Sequence, residues 1–338
     1  MAESARRGAA SSLDHFTVPL AALLADPSVT ELCFQRPEEV MIERHDGWAR
    51  ELVPWATTAW SRHFARLVAT ATDQRIGADA PLLSASLPTG ERVQVVLPPA
   101  TWPDRVAISI RRPNSEVWSL DDLGDAGLFT ACRATATARG ATHAALARHF
   151  ADASWQPFLS LAVAERLNIV ISGATGSGKT TLTKALVGEI PKDERLISIE
   201  DAAELDFGKH ANVVRLFYSK DGQGVSRVTP KQLLEASLRL RPDRILLAEL
   251  RGEEAYYFLR NVSSGHPGSI TSVHAGSAAL AFEQLALLVK ESAPGREMRL
   301  DDIHRLLRQV IDVVVQCGRS GGVRRVSEVW WRDAAHAS

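Results

Sequence analysis

The run Gly173-Ala174-Thr175-Gly176-Ser177-Gly178-Lys179-Thr180 has the residue types and spacing of a phosphate-binding loop. Such a loop aims backbone N–H groups at a polyphosphate, and the close wrap calls for residues without a Cβ at Gly173, Gly176 and Gly178. Lys179 is spaced to reach the β- and γ-phosphates, the Thr180 hydroxyl to sit on Mg2+, and Thr181 to continue the cradle. The expected ligand is ATP or GTP with magnesium.

Hydrolysis asks for more than a cradle. A carboxylate must orient water, and fixed dipoles or charges must meet the developing negative charge. Ile197-Ser198-Ile199-Glu200-Asp201-Ala202-Ala203-Glu204 ends an apolar run in acids, with Glu200 the first choice for activating water and a helix cap the plainer reading. Ile245-Leu246-Leu247-Ala248-Glu249 has the Walker B arrangement, but Ala248 stands where Asp is usual, so support of the magnesium shell falls to Glu249. The division of labour between Glu200 and Glu249 stays open. His266 and His274 bracket the next apolar run, with His274 at its C-terminal end as a candidate sensor of the γ-phosphate.

These residues work only if a strand and a helix hold them. Leu167–Ile171 is an apolar run ahead of the loop, and from residue 156 strands (169–172, 196–199, 213–218, 245–250, 269–273) alternate with helices (179–187, 230–240, 253–262, 278–290). That alternation predicts an α/β domain with a mostly parallel sheet and flanking helices, closed by a helix over 298–310 and a hairpin over 313–330. Residues 13–118 read as a small α+β domain: strands over 30–35, 40–44 and 106–111, a helix over 57–73, and a hairpin turning at Pro88-Thr89-Gly90-Glu91. Residues 1–12 read as a frayed tail, and 119–155 as an Ala/Gly-rich linker carrying one or two helices.

Composition bounds the function. A chain of 338 residues suggests two domains. Thirty-nine basic against 40 acidic residues argue against direct binding of nucleic acid, and three scattered cysteines build neither a disulfide framework nor a zinc site. No run approaches the length of a membrane span, so a cytoplasmic protein is expected.

In order, Gly-Ala-Thr-Gly-Ser-Gly-Lys-Thr, Ile-Glu-Asp-Ala-Ala-Glu-Leu, Ala-Glu-Leu-Arg-Gly and Gly-His-Pro-Gly-Ser-Ile-Thr-Ser-Val-His-Ala resemble the Walker A, Asp, Walker B and His boxes of the secretion ATPase superfamily. The N-terminal segments Asp26–Leu32, Pro81–Gln94 and Ile108–Arg112 narrow the resemblance to the hexameric traffic ATPases of bacterial type IV secretion and conjugation systems, over residues 13–332. The resemblance implies a RecA-like P-loop domain behind a small N-terminal domain and a ring of six subunits. It also implies ATP rather than GTP, partners among inner-membrane components of a secretion machine, and a place on the cytoplasmic face of that membrane. It implies further that arginines of the N-terminal domain complete the γ-phosphate site, at Arg92 and at Arg111 or Arg112. Closure of that domain on the phosphates, hinged at 119–153, would turn hydrolysis into movement. A pilus or type II secretion ATPase and a ring-forming nucleic-acid motor are the competing expectations.

Overall fold

The structure, a computed structural model, describes residues 12–113, 119–130, 132, 141–219 and 224–335. Its N-terminal part begins with α1 (Val18–Leu24), β1 (Glu31–Arg36), β2 (Glu39–Arg44), β3 (Gly47–Leu52) and α2 (Thr58–Ala71). It continues through β4 (Leu82–Ser86), β5 (Arg92–Val96) and β6 (Ala107–Arg111). The six strands form one antiparallel sheet in the order β3-β2-β1-β6-β5-β4. Thr57 caps α2 by accepting from the Trp60 N–H, and Phe64, Ala65 and Val68 on one helical face meet Leu32, Ile42 and Ile108 of the sheet.

Two helices follow, α3 (Leu120–Asp125) and α4 (Ala141–Ala151); most of the residues between them lie outside the described ones. Then come α5 (Trp155–Ala164), β7 (Ile169–Gly173), α6 (Lys179–Gly188), β8 (Leu196–Glu200), β9 (Val213–Phe217), α7 (Pro230–Ser237) and β10 (Arg244–Leu247). The remainder is α8 (Glu254–Ser263), β11 (Ile270–Val273), α9 (Ala278–Glu291), α10 (Ala293–Glu297), α11 (Leu300–Val310), β12 (Val313–Ser320), β13 (Val323–Trp331) and α12 (Arg332–Ala335). Strands β10-β8-β9 and β11-β7-β12 are parallel, and β13 returns antiparallel on β12. Continuous Val/Ile/Leu runs, buried along their length, are what a parallel sheet covered on both faces requires.

The expected sheet is split. Ladder pairing stops between β10 and β11, where the bridge Leu250–Val273 and two serine hydroxyls span the seam: Ser269 Oγ donates to Ile245 O at 2.9 Å and Ser272 Oγ to Ala248 O at 3.0 Å. The strand expected over 245–250 accordingly ends at Leu247, because the chain leaves β8 there to reach β11.

The N-terminal part docks where the parallel strands begin. Gln35 Nε2 donates to Asn212 Oδ1 at 3.1 Å just before β9, and the fully buried Arg195, just before β8, donates to Gln35. Arg241 Nε donates to Glu43 Oε2 at 2.9 Å. Along the sheet margin, Thr101 Oγ1 donates to Arg215 O at 2.9 Å. Among the described residues no helix is long and apolar enough to cross a membrane.

Candidate functional site

At the other edge, where the parallel strands end, β7 runs into the loop and α6. Gly173 has φ +153°, and a Cβ there would collide with the Cys317 carbonyl and come within 2.6 Å of Ser177 Oγ. Gly178 caps α6 at φ +100° in the left-handed region. Ala174, Thr175 and Gly176 at the tip, and Thr180 and Thr181 on the first turn of α6, are exposed beside a helix N-terminus, the end of a helix that attracts anions. Ser177 Oγ is buried without a partner, an orphan of the kind that a phosphate oxygen would satisfy.

Lys179 is almost fully buried beneath the loop. Its Nζ donates to Gly173 O at 2.7 Å and Ala174 O at 3.2 Å, and lies 3.2 Å from His274 Nδ1. Burial pulls its pKa down, and the Glu249 carboxylate opposes that shift. His274 Nε2 stands 2.6 Å from Glu249 Oε1, and the other Glu249 oxygen is paired with Arg251, whose NH1 reaches Asp201 Oδ2 at 3.2 Å. Three segments, 173–181, 249–251 and 274, thus converge on one cluster.

Glu200 is engaged differently from expectation. It is fully buried and accepts from Ser198 Oγ (2.6 Å), the N–H groups of Glu204 and Leu205 (3.0 Å each), and Arg215 Nε and NH2 (2.8 and 2.6 Å). Arg215 in turn lies over the rings of Trp102, Phe207 and Phe217. Both carboxylate oxygens are occupied, leaving no lone pair directed at solvent for a water. Glu204, four residues on, is exposed and acts electrostatically on Lys179. The second glutamate of the Glu-Asp-Ala-Ala-Glu run is the signal for it.

The N-terminal arginines lie away from their own loop. Arg92 and Arg111 sit directly opposite each other on β5 and β6 and line a cleft of about 480 Å³ with Glu31, Gln94, Arg239 and Arg241. This cleft lies on the docking edge, where the parallel strands begin. Like charges directly opposed on neighbouring strands repel unless an anion lies between them. Burial raises the pKa of Glu31, and the Ser109 hydroxyl, Arg195 and Arg111 oppose that shift. Arg112 is part of the fold instead, donating through NH1 to Asp26 O at 3.0 Å. His266 is likewise distant from His274, at the start of β11, where burial and then Arg241 lower its pKa. Arg239 and Arg241 went unassigned in the sequence because nothing in a single arginine after a helix indicates which cleft it faces.

A model of the type II/IV secretion system protein family matches residues 16–320. The chain is 44% identical to the type IV secretion system protein VirB11 of Bartonella quintana, over 93% of this chain and 91% of that protein. It is 42% identical to VirB11 of Brucella suis (95% and 91%) and 38% to PtlH of Bordetella pertussis (97% and 97%). The crystal structure of the Brucella suis VirB11 ATPase in complex with sulphate superposes with a TM-score of 0.92 at 42% identity, covering 98% of this chain and 97% of that one. Fold, ordered motifs and relatives agree: the chain belongs to the type II/IV secretion system protein family, in its VirB11 branch.

Proposed function

We propose that the protein is a magnesium-dependent ATPase that works as a closed head-to-tail ring of six subunits and drives substrate transfer or pilus assembly in a bacterial type IV secretion machine. Each nucleotide is gripped by one subunit's loop over 173–181 and completed by the arginine cleft of the next.

The observation that carries this reading is the division of the site within one chain. The cradle lies where the parallel strands end, whereas Arg92, Arg111, Arg239 and Arg241 line a cleft on the edge where they begin. A surface and its receptor on opposite edges of one molecule make a heterologous contact, which closes into a ring when the rotation allows. Planar guanidinium forks on strand ends suit the γ-phosphate and, as arginine fingers, raise rates by roughly 10³–10⁵ where dissected.

Within the cradle, Lys179 turns from its loop carbonyls toward the β- and γ-phosphates, and His274 links that movement to Glu249. The exposed Thr180 hydroxyl and the Glu249 carboxylate are oxygen donors of the kind that hold Mg2+ beside phosphates, and the ion when bound neutralises charge on the β- and γ-oxygens. Glu204 is the solvent-facing acid positioned to orient water, with Glu200 fixing the turn that carries it. Since the N-terminal domain is tied to the starting edge of its own sheet, the phosphate that draws it inward belongs to the neighbour. The protein works in the cytoplasm, attached to inner-membrane components of the machine.

The test is mass in solution with and without ATP and magnesium, together with phosphate release. Nucleotide-dependent assembly with turnover confined to the assembled form is expected. A fully active monomer would overturn the shared site.

A further inference from the structure

The β12–β13 hairpin continues past the end of β7 by the pairs Gly318–Arg325, Arg319–Arg324 and Ser320–Val323, so it overhangs the phosphate loop. Pairing jumps from Gln316–Glu328 to Cys317–Val326, which makes Ser327 an extra, bulged residue. A bulge reverses the faces of the residues beyond it. Glu328 points to α9, where it accepts from the Ala278 N–H at 3.0 Å, whereas Arg324 is turned onto the loop. Arg324 Nε donates to Gly176 O at 3.2 Å, and its Cδ lies 3.3 Å from where a Cβ of Gly178 would stand. Arg324 is an exposed residue.

The γ end of the cradle is marked by Lys179, His274 and Glu249, on the β11 side of β7. A nucleotide laid along the loop therefore directs its α-phosphate and nucleoside toward the other flank, where β12 and β13 stand. We propose that Arg324 is a nucleotide-binding residue that holds the nucleoside end, its guanidinium stacking on the base. This rests on the reading of residues 173–181 as a nucleotide cradle.

Calorimetric titration of the full chain with ADP and with inorganic tripolyphosphate separates this role from mere bracing of the loop. Arg324→Ala should weaken ADP roughly tenfold, the loss of one good cation–π contact to the base, while tripolyphosphate, which has no nucleoside, stays unchanged; Arg324→Lys should fall between. Equal weakening of both ligands, or no change in either, would overturn the assignment. If the unmutated protein binds neither ligand, the nucleotide reading itself fails, and this assignment with it.

Discussion

Lys179 Nζ and His274 Nδ1 lie 3.2 Å apart, and the second ring nitrogen of that histidine faces Glu249. His274 Nε2 stands 2.6 Å from Glu249 Oε1. The loop lysine and the acid after β10 thus stand on either side of one imidazole. Lys179→Ala should abolish hydrolysis. His274→Ala should keep nucleotide affinity while turnover falls by roughly 10²-fold or more, the usual loss when a preorganised polar group is removed. Steady-state phosphate release alongside equilibrium binding measures both, and unimpaired turnover in His274→Ala would remove the relay.

Glu200 and Glu204 should separate in a pair of substitutions. Glu200→Gln breaks a buried ion pair with Arg215 and should cost about 3–5 kcal/mol of stability, with lost turnover following the lost fold. Glu204→Gln, at an exposed position, should leave the melting temperature in place and lower turnover. A stable Glu200→Gln protein that binds ATP without hydrolysing it would return the water-orienting role to Glu200.

Arg111 and Arg112 are adjacent in sequence and divergent in environment. Arg111→Ala should leave the fold intact and reduce turnover of the assembled protein by up to roughly 10³-fold. Arg112→Ala removes the bond to Asp26 O and should act on thermal stability first. Melting curves and turnover of both variants decide between these roles; the reverse pattern would move the finger to Arg112.

Acid should loosen the parallel-sheet part of the fold through His210. This buried ring lies 3.0 Å from Lys192 Nζ, and burial, then the Lys192 charge, lower its pKa from the ordinary 6.5, with Glu194 opposing and Arg244 adding to the shift. A depressed folded-state value means that the stabilisation is complete above the unfolded pKa and is lost as pH falls through the folded one. The melting temperature should drop more steeply below about pH 6.5 in the unmodified protein than in His210→Gln, whose neutral side chain has no proton to take up. Parallel pH profiles would contradict this.

Most of the architecture was legible in the sequence because the parallel strands are continuous apolar runs bounded by turn residues, as at Ile169–Gly173 and Leu196–Glu200. The missed helices have physical reasons. Trp155–Ala164 is apolar on nearly every face and so has no 3.6-residue stripe, and Val18–Leu24 is two turns long. The loop over 173–181 was visible because its spacing is local. The burial of Glu200 against Arg215, and the gathering of Arg92 and Arg111 with Arg239 and Arg241, depend on residues 15 and more than a hundred positions apart, which no local pattern encodes.

Mixing two inactive variants tests the shared site most directly. Lys179→Ala supplies an intact arginine cleft, and Arg92→Ala/Arg111→Ala supplies an intact cradle. Co-assembled at equal ratio, the two should regain activity at about a quarter of the interfaces, where a sound cradle meets a sound cleft. Phosphate release that stays at the level of the separate variants, in rings shown to contain both, would contradict completion by a neighbour.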